Sequence, residues 1–249
     1  MASAPLISVV IPIYRAGCLK ELYHRLTTSL TAIGDDFEIV MVNDASPDQT
    51  WDVIVSLARI DFRVRGIDLE TNVGQHVAIL AGLDHATGQW VVVMDSDLQD
   101  RPEEIPRLFE VAAKEGFDIV QARRAVRWHS LWRRLGSQAF YTVLGSVTDI
   151  AQDPSVANFG IYRRAVIQAI LAIRERYYFP LLVRTVGFRL TSIDVEHGAR
   201  RADRSSYSLA KLLKLAFIGR IGTLVSKGHH PFRIPRRSFT LGAGHGKGS

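Results

Sequence analysis

The chain has 249 residues, of which 47% are apolar and 22% are charged, a balance typical of a domain with a buried core. Its single cysteine excludes a disulfide framework and a cysteine-based zinc site, and favours a reducing compartment. The first residues lack the basic flank of a secretory signal, and no apolar run reaches the roughly 18 residues that a spanning helix needs. We therefore expect a soluble or peripheral protein.

The net charge of +6 is unevenly distributed along the chain. Nine of the 31 Lys and Arg residues lie from Arg204 onward, where there is no Asp or Glu, which leaves 22 basic against 25 acidic residues before it. The positive charge and the Arg-rich stretch at 123–134 are compatible with a nucleic-acid-binding module. Because no nucleic-acid motif accompanies them, we predict no nucleic-acid partner.

The apolar pattern predicts alternating strands and helices as far as Arg123. Short β-branched runs predict five strands: Leu6–Ile13, Phe37–Val42, Val64–Leu69, Trp90–Met94 and Asp118–Ala122. Helical spacing predicts four helices between them: Leu19–Ile33, Pro47–Ile60 with Ser46 as N-cap, Gln75–Ala86, and Glu103–Glu115 after Pro102. This alternation predicts an α/β fold in which helices flank both faces of a mostly parallel sheet.

The pattern changes after Arg123. It predicts helices at Trp128–Leu144 and Arg164–Arg174, a strand at Phe188–Val195, and a basic amphipathic helix at Tyr207–Val225. The last helix is suited to an anionic membrane interface, although packing on a core is the alternative. We divide the chain into a main domain at 1–203, a membrane-proximal basic helix and tail at 204–238, and a Gly-rich end at 239–249. We expect that end to be disordered, as is typical of an added tail.

Two predicted strands end in acidic residues. The second is followed by Asn43 and Asp44, and the fourth by Asp95-Ser96-Asp97-Leu98-Gln99. Ligands of parallel α/β sheets bind beyond the carboxyl ends of the strands. Two carboxylates and a nearby amide oxygen there suit Mg²⁺ or Mn²⁺ bound to a diphosphate. An Asp-x-Asp alone is common and can simply end a strand, so the surrounding sequence must decide.

A basic cluster follows the fifth strand. Arg123 and Arg124 come directly after it, and Arg133, Arg134 and Ser137 lie on the next predicted helix. Residues at i and i+4 share one helix face, which places an arginine beside the serine. Guanidinium groups and a hydroxyl are good phosphate ligands. The alternative is a solvated basic helix face.

The surrounding sequence resembles the family-2 inverting glycosyltransferases of the GT-A fold, in the branch of dolichyl-phosphate mannose synthases and bactoprenol glucosyltransferases. The similarity extends from residue 7 to about 216, and VMDSDLQDRPE is its most specific part. The matching stretches are SVVIPIY (8–14), EIVMVNDASPDQT (38–50), NVGQHVAILAGLDHATG (72–88), VVVMDSDLQDRPEEIPRL (91–108) and RSSYSLAKLLKLA (204–216).

The resemblance implies a role for each matching polar residue. It implies that 1–203 is a Rossmann-like GT-A catalytic domain. It places the nucleotide on Pro12, Tyr14, Asp44 and Asp95. It places Mg²⁺ or Mn²⁺ on Asp95, Asp97 and Gln99, against the diphosphate of the donor. It places the acceptor phosphate on Arg123, Arg133 and Ser137.

Two departures from the family pattern bear on the chemistry. Many relatives carry Asp-Phe-Arg where this chain has Asn158-Phe159-Gly160, and that Asp is often proposed as the base. Asn158 cannot accept a proton, whereas a sugar hydroxyl acceptor must lose one. A phosphate acceptor is already anionic, so Asn158 favours lipid phosphate, with Asp153 left open as an alternative base. Arg15-Ala16-Gly17 replaces the usual Asn-Glu-Glu, which leaves the ribose contacts open.

The resemblance therefore implies inverting transfer from a nucleotide-diphosphate sugar, with UDP favoured, to undecaprenyl or dolichyl phosphate. The expected place is the cytoplasmic face of the cell membrane, with an anionic membrane surface as partner and a homo-oligomer left open. The alternative acceptor is a saccharide in surface-polysaccharide assembly, which requires a base near Asn158. A Rossmann dehydrogenase is disfavoured, because no Gly-x-Gly-x-x-Gly follows the first strand.

Overall fold

The computed structural model describes residues 4–124, 156–173 and 178–198. These residues form seven strands: β1 Ile7–Ile13, β2 Phe37–Asn43, β3 Val64–Asp68, β4 Trp90–Val93, β5 Ile119–Arg124, β6 Val156–Arg163 and β7 Leu190–Val195. They also form six α-helices: α1 Leu19–Thr31, α2 Thr50–Ile60, α3 Gln75–His85, α4 Ile105–Glu115, α5 Arg164–Ala172 and α6 Phe179–Thr185. A single 3₁₀ turn at Pro102–Glu104 precedes α4.

All seven strands belong to one sheet in the order β3-β2-β1-β4-β6-β5-β7. The pairs β1–β2, β1–β4, β2–β3 and β5–β7 are parallel. Strand β6 pairs antiparallel with both β4 and β5, so it is the only strand of this sheet that runs in the opposite direction. The predicted α/β fold with a mostly parallel sheet is therefore confirmed.

The sheet has a separate hydrophobic core on each face, because successive side chains of a strand point to opposite sides. Val9 and Ile11 of β1 pack on one face with buried residues of α1, α2 and α4. Val10 packs on the other with buried residues of α3, α5 and α6. Every residue of β1 and β2 is buried. This explains why the central strands are continuous apolar runs rather than alternating ones.

The structure differs from the sequence prediction at four elements. Strand β6 and helix α6 were not predicted at all. The N-cap prediction for Ser46 was wrong, because α2 begins at Thr50 after Gln49 and has no side-chain cap. The Ser46 hydroxyl instead accepts a hydrogen bond from the backbone N–H of Arg15 at 3.1 Å. The first turn predicted for the helix after Pro102 is a 3₁₀ turn.

Several predicted elements lie outside the described residues, namely the helices at Trp128–Leu144 and Tyr207–Val225 and the Gly-rich end. Within 4–124, 156–173 and 178–198, no helix combines the length and the apolar character needed to cross a bilayer.

A polar cluster ties the strands together near their amino ends. The Glu38 carboxylate, at the start of β2 and only 8% exposed, accepts hydrogen bonds from the Ser8 hydroxyl at 2.6 Å, the Thr87 N–H at 2.6 Å and the Arg65 guanidinium at 3.1 Å. These donors come from β1, from the segment before β4 and from β3. A buried carboxylate with several donors is a stabilising arrangement that becomes costly when one partner is lost.

Candidate active site

The ends of β1, β2 and β4 meet at one edge of the sheet. Ile13 pairs with Asn43 across β1 and β2, and Val10 pairs with Val93 across β1 and β4. The residues that follow these strands are therefore neighbours. Asp44, Asp95 and Asp97, which were predicted to carry function, come from these segments.

Backbone strain is concentrated at the same edge. Among the described residues, the non-glycine positions with a positive φ are Arg15 at 55°, Ala45 at 50° and Leu98 at 62°. Arg15 follows β1, Ala45 follows β2 and Leu98 lies in the segment after β4. Positive φ is uncommon for residues with a side chain, and it persists where surrounding contacts impose it, often at functional sites.

Asp44 is a buried carboxylate held by a turn from another part of the chain. Only 3% of its surface is exposed. Its Oδ1 accepts from the N–H of Val73 at 2.7 Å and its Oδ2 from the N–H of Gly74 at 2.9 Å. Burial raises the pKa of Asp44 above its ordinary value, and these two bonds only partly oppose that. A carboxylate oxygen can accept more than one hydrogen bond, so Asp44 can also accept one from an N–H group of a ligand.

Asp95 is fixed at both its side chain and its backbone. Its Oδ1 accepts from the Gln75 side-chain amide at 2.5 Å. Its backbone N–H donates to Oδ2 of Asp100 at 3.1 Å, and Asp100 is completely buried. These contacts set the direction in which Asp95 leaves β4.

Asp97 and Gln99 form a second pair in the same segment. Asp97 is exposed, and its oxygens accept from the Gln99 backbone N–H at 3.0 Å and from the Gln99 side-chain amide at 2.5 Å. The amide oxygen and nitrogen of a glutamine can exchange places by a flip of the amide. Within the described ranges, no group of three or more His, Cys, Asp or Glu side chains is arranged to hold a metal. A carboxylate and an amide oxygen still fit Mg²⁺ or Mn²⁺, since such ions commonly take one or two protein carboxylates and complete their shell with substrate phosphate.

Two segments besides β4 contact the loop that carries Asp97. The thiol of Cys18, which precedes α1, donates to the carbonyl oxygen of Ser96 at 3.1 Å. The N–H of Gly198 donates to the carbonyl oxygen of Gln99 at 2.9 Å. His197 Nε2 lies 3.9 Å from Oδ1 of the buried Asp100. The segment after β7 therefore lies directly against this loop.

The side chains predicted under the nucleotide base lie at the end of β1. Pro12 is buried, whereas the Tyr14 ring is 48% exposed and free to form a stacking surface. The Arg15 guanidinium lies 5.4 Å from the centre of that ring. Because Tyr14 follows the strand that pairs with β2, the ring and Asp44 border the same region.

Asn158 lies at the same edge on the antiparallel strand. Val93 of β4 pairs with Gly160 of β6. Because the two strands are antiparallel, two residues forward from Val93 and two residues back from Gly160 place Asn158 level with Asp95. At Gly160, an added Cβ would approach the Val120 carbonyl oxygen to 2.9 Å. A side chain at this position would therefore crowd the backbone of β5.

The structure describes only part of the predicted acceptor site. The Arg123 Nε donates to Asp194 Oδ1 at 2.6 Å, and both side chains are well exposed. Arg133, Ser137 and Asp153 lie outside the described residues. The phosphate role assigned to these residues remains a prediction.

His76 and His85 make contacts that belong to the packing of the fold. Burial lowers the pKa of His76 to about 4, so the ring is neutral at pH 7. It packs edge-on against Tyr178 with ring centres 4.5 Å apart. His85 places Nδ1 2.9 Å from the carbonyl oxygen of Ala81 within its own helix.

Sequence reasoning missed three residues at this edge: Gln75, Asp100 and Cys18. Each contacts a predicted site residue or the residue next to one. Asp100 lies close enough in sequence to be noticed, since it follows Gln99 directly. Nothing in the local pattern marks the other two, because they reach the site from other elements.

Comparison with known proteins gives a family match over most of the chain. A family model described as Glycosyl transferase family 2 matches residues 8–171. A curated relative from Pseudomonas aeruginosa, an undecaprenyl-phosphate 4-deoxy-4-formamido-L-arabinose transferase, is 40% identical over 215 residues, which covers 85% of this chain and 63% of the relative. A protein of the same description from Salmonella paratyphi B is 36% identical over 214 residues, covering 85% of this chain and 65% of the relative. The chain thus spans less than two thirds of the length of these relatives.

Solved structures with the same fold are more distant in sequence. Glucosyl-3-phosphoglycerate synthase from Mycobacterium tuberculosis, in complex with Mn²⁺, UDP and phosphoglyceric acid, superposes with a TM-score of 0.59 at 16% identity, covering 89% of this chain and 78% of that one. A mannosyltransferase from Pyrobaculum calidifontis, in complex with GDP-Man and Mn²⁺, gives a TM-score of 0.58 at 16% identity, covering 92% and 66%. At such identities the likeness shows the fold, and this fold is the GT-A arrangement predicted from the sequence.

Proposed function

Because the chain belongs to glycosyl transferase family 2, we propose that it transfers a sugar from a nucleoside diphosphate donor to polyprenyl phosphate, with inversion at the anomeric carbon. The observation that carries the proposal is the meeting of the buried Asp44 and the Asp95–Gln99 segment at one sheet edge. The acceptor class is supported by the 36–40% identity to undecaprenyl-phosphate sugar transferases.

The donor nucleotide binds across the ends of β1, β2 and β4. Asp44 accepts a hydrogen bond from a ring N–H of the base, a donor that uracil carries, and a UDP-sugar is the favoured donor. Tyr14, with Pro12 behind it, stacks on the base. Asp95, fixed by Gln75, accepts from the ribose hydroxyls or lies beside the metal.

A divalent cation, Mg²⁺ or Mn²⁺, belongs with the diphosphate. The residues that would hold it are Asp95, Asp97 and Gln99. When bound, such a cation neutralises the charge of the departing nucleoside diphosphate. The exposure of Asp97 and its link to the Gln99 amide support this assignment, because both groups can turn toward a phosphate-bound ion. Mn²⁺ in the M. tuberculosis and P. calidifontis complexes is compatible with it.

The acceptor phosphate attacks without a base on the protein. A phosphate monoester has its second pKa at about 6 and is largely dianionic at neutral pH. One of its oxygens forms the new bond to the anomeric carbon while the bond to the donor diphosphate breaks, and the nucleoside diphosphate leaves with the bonding electrons. No proton must be removed, which agrees with the carboxamide of Asn158 at the level of Asp95. Attack from behind converts an α-linked donor into a β-linked product.

The acceptor phosphate is assigned to Arg123, Arg133 and Ser137. Arg123 is exposed, and its pairing with Asp194 is open to solvent, so exchanging that partner for a phosphate costs little. The basic residues from Arg204 onward would hold the protein at the anionic cytoplasmic face of the membrane, where the lipid phosphate lies. Replacement Arg133→Ala is then expected to raise the polyprenyl phosphate concentration needed for half-maximal rate about tenfold, with donor binding unchanged. Loss of donor binding would contradict this assignment.

The decisive experiment offers the protein two acceptor classes. Candidate UDP- and GDP-sugars are incubated with undecaprenyl phosphate in detergent or with an oligosaccharide acceptor, each with Mn²⁺ or with EDTA, and products are identified by mass spectrometry. We expect a glycosyl-phosphoryl-polyprenol that forms only with metal. Transfer to the oligosaccharide alone would overturn the acceptor assignment and point to Asp153 as a base. Full transfer in EDTA would overturn the metal assignment.

A further inference from the structure

We propose that Gln75 is a positioning residue for Asp95, and that the turn at 72–75 couples recognition of the nucleotide base to binding of the metal. The inference rests on the proposed function, because it concerns the same site. It adds a positioning residue that the sequence did not mark. It also links the free energy of binding the base to the free energy of binding the metal.

One short turn contacts both acidic strand ends. The backbone N–H groups of Val73 and Gly74 hold the two carboxylate oxygens of Asp44 at 2.7 and 2.9 Å. The very next residue, Gln75, donates its side-chain amide to Asp95 at 2.5 Å. The residues that hold Asp44 and the residue that holds Asp95 are therefore consecutive in the chain.

The turn has little freedom to adjust. Gly74 adopts φ of 86°, a conformation that other residues rarely adopt. Its carbonyl oxygen accepts from the N–H of Ala78 at 3.0 Å, which closes the first turn of α3. Ala78 and Ile79 are completely buried against the sheet. A shift at Asp44 is thus transmitted to Gln75 rather than absorbed between them.

The hydrogen bond to Gln75 determines how Asp95 faces its ligand. A neutral amide fixes one carboxylate oxygen of Asp95 without adding a positive charge of its own. Partners that orient a metal ligand typically change metal affinity by about 10–100-fold when they are removed. Because the same turn holds Asp44 and Asp95, a base that stabilises this turn also favours the metal-binding orientation of Asp95. Binding free energies are reciprocal, so the metal strengthens binding of the base by the same factor.

The test measures binding rather than turnover. Mn²⁺ is titrated into the full chain and followed by electron paramagnetic resonance, with and without a saturating free nucleoside, uridine or guanosine, whichever the wild type binds. A free nucleoside has no phosphate, so it cannot touch the metal through the diphosphate. Its 2′,3′-dideoxy analogue also lacks the ribose hydroxyls, so an effect that this analogue retains does not pass through a direct contact of the ribose with Asp95. In the wild type we expect the nucleoside to strengthen Mn²⁺ binding several-fold. In Gln75→Ala we expect Mn²⁺ affinity to fall about tenfold and the effect of the nucleoside to vanish, while nucleoside affinity is kept.

Two further variants separate positioning from a general structural role. Gln75→Glu places a second carboxylate beside Asp95, so Mn²⁺ binding should be weaker than in Gln75→Ala at pH 8. Gln89→Ala is the matched control, because Gln89 is exposed just before β4, at the opposite end of that strand. It should change none of these values.

The outcomes distinguish the inference from the function beneath it. A wild type that binds Mn²⁺ and a nucleoside, with Gln75→Ala identical in both affinities and in their coupling, overturns the inference alone. A wild type that binds neither overturns the proposed function and the inference with it. Thermal unfolding of each variant accompanies the titrations, and a native melting temperature with lost coupling supports the positioning role.

Discussion

Both ends of the parallel strands carry carboxylates held by hydrogen bonds, but different groups stabilise them. Near the amino ends, Glu38 and Asp61 are paired with arginines, Arg65 at 3.1 Å and Arg63 at 2.9 Å. At the carboxyl ends, Asp44 is held by backbone N–H groups and Asp97 by the backbone and amide of Gln99. One end compensates its negative charges with cations of the chain itself. The other holds them with neutral donors, which leaves the charge for a ligand.

The pKa directions follow this difference. Burial raises the pKa of Glu38, but the hydrogen bonds of Ser8, Thr87 and Arg65 outweigh it and lower the pKa below its ordinary value. Asp44 is also buried, yet its two backbone hydrogen bonds do not outweigh burial, and its pKa is raised. Glu38 and Asp44 are therefore buried to a similar degree, but Glu38 stabilises the fold and Asp44 is suited to bind a ligand.

The largest effect is expected at the metal-binding end. Asp97→Asn should reduce metal-dependent sugar transfer by at least about 100-fold, because the amide removes a negative charge from the cation's shell. Asp97 is exposed, so thermal unfolding should be unchanged. Asp52→Asn, an exposed acid on α2, is the matched control and should retain full activity. Full turnover by Asp97→Asn would show that the metal assignment is wrong.

Next in size is the effect of neutralising the base-binding acid. Asp44→Asn should weaken nucleoside and nucleotide binding about 10–100-fold, because a charged hydrogen bond to the base is lost. Its melting temperature should change little, since the lost hydrogen bond is offset by the removal of a buried charge. Calorimetric titration and thermal unfolding measure the two effects. A large loss of stability with normal nucleotide affinity would show that Asp44, like Glu38, stabilises the fold and does not bind the nucleotide.

The reverse pattern is expected at the amino ends. Glu38→Gln should lower the free energy of unfolding by about 1–3 kcal/mol, because the carboxamide cannot accept from every donor around it and the Arg65 charge loses its partner. Transfer activity at low temperature should remain near that of the wild type. Urea unfolding and an activity assay at 10 °C test this together. A selective loss of activity with unchanged stability would remove the distinction between the two ends.

The smallest effect is the pH dependence of stability. Because the folded-state pKa values of Glu38 and Asp61 are lowered, the stability they contribute is present above their unfolded pKa and is lost as pH falls through the folded value. The raised pKa of Asp44 acts in the opposite sense. Urea unfolding between pH 7 and 3 should therefore show a shallower decline for Glu38→Gln than for the wild type. Parallel curves would mean that Glu38 is not a source of acid sensitivity.

Sequence reasoning predicted correctly where the acidic residues lie. A polar residue directly after a buried strand of a parallel sheet lies at the carboxyl end of that sheet, and Asp44, Asp95 and Asp97 are there. Their roles toward nucleotide and metal came from the family resemblance and stay predictions. Sequence reasoning failed for strand β6, whose chain direction is opposite to that of its neighbours. Its partners β4 and β5 both precede it in sequence, and no local signal states which strands it will separate.

The same limit applies to the residues that support the site. Gln75 looked like an ordinary first helical residue, and Cys18 like an isolated small side chain, because their partners lie 20 and 78 residues further along the chain. The polar cluster around Glu38 was missed for the same reason, since Thr87 is 49 residues away. The sequence showed where each residue lies in the chain, but it did not show which distant residue each one contacts.

By itself, the sequence determined the alternation of buried strands and helices, the acidic residues at the strand ends and the carboxamide at Asn158, because burial period, strand length and chemical type are local properties. Only the tertiary structure decided the place of the antiparallel strand, the contact of one turn with both Asp44 and Asp95, and the pairing of Glu38 with Arg65. These depend on which distant segments become neighbours, and that is decided by the packing of the whole sheet.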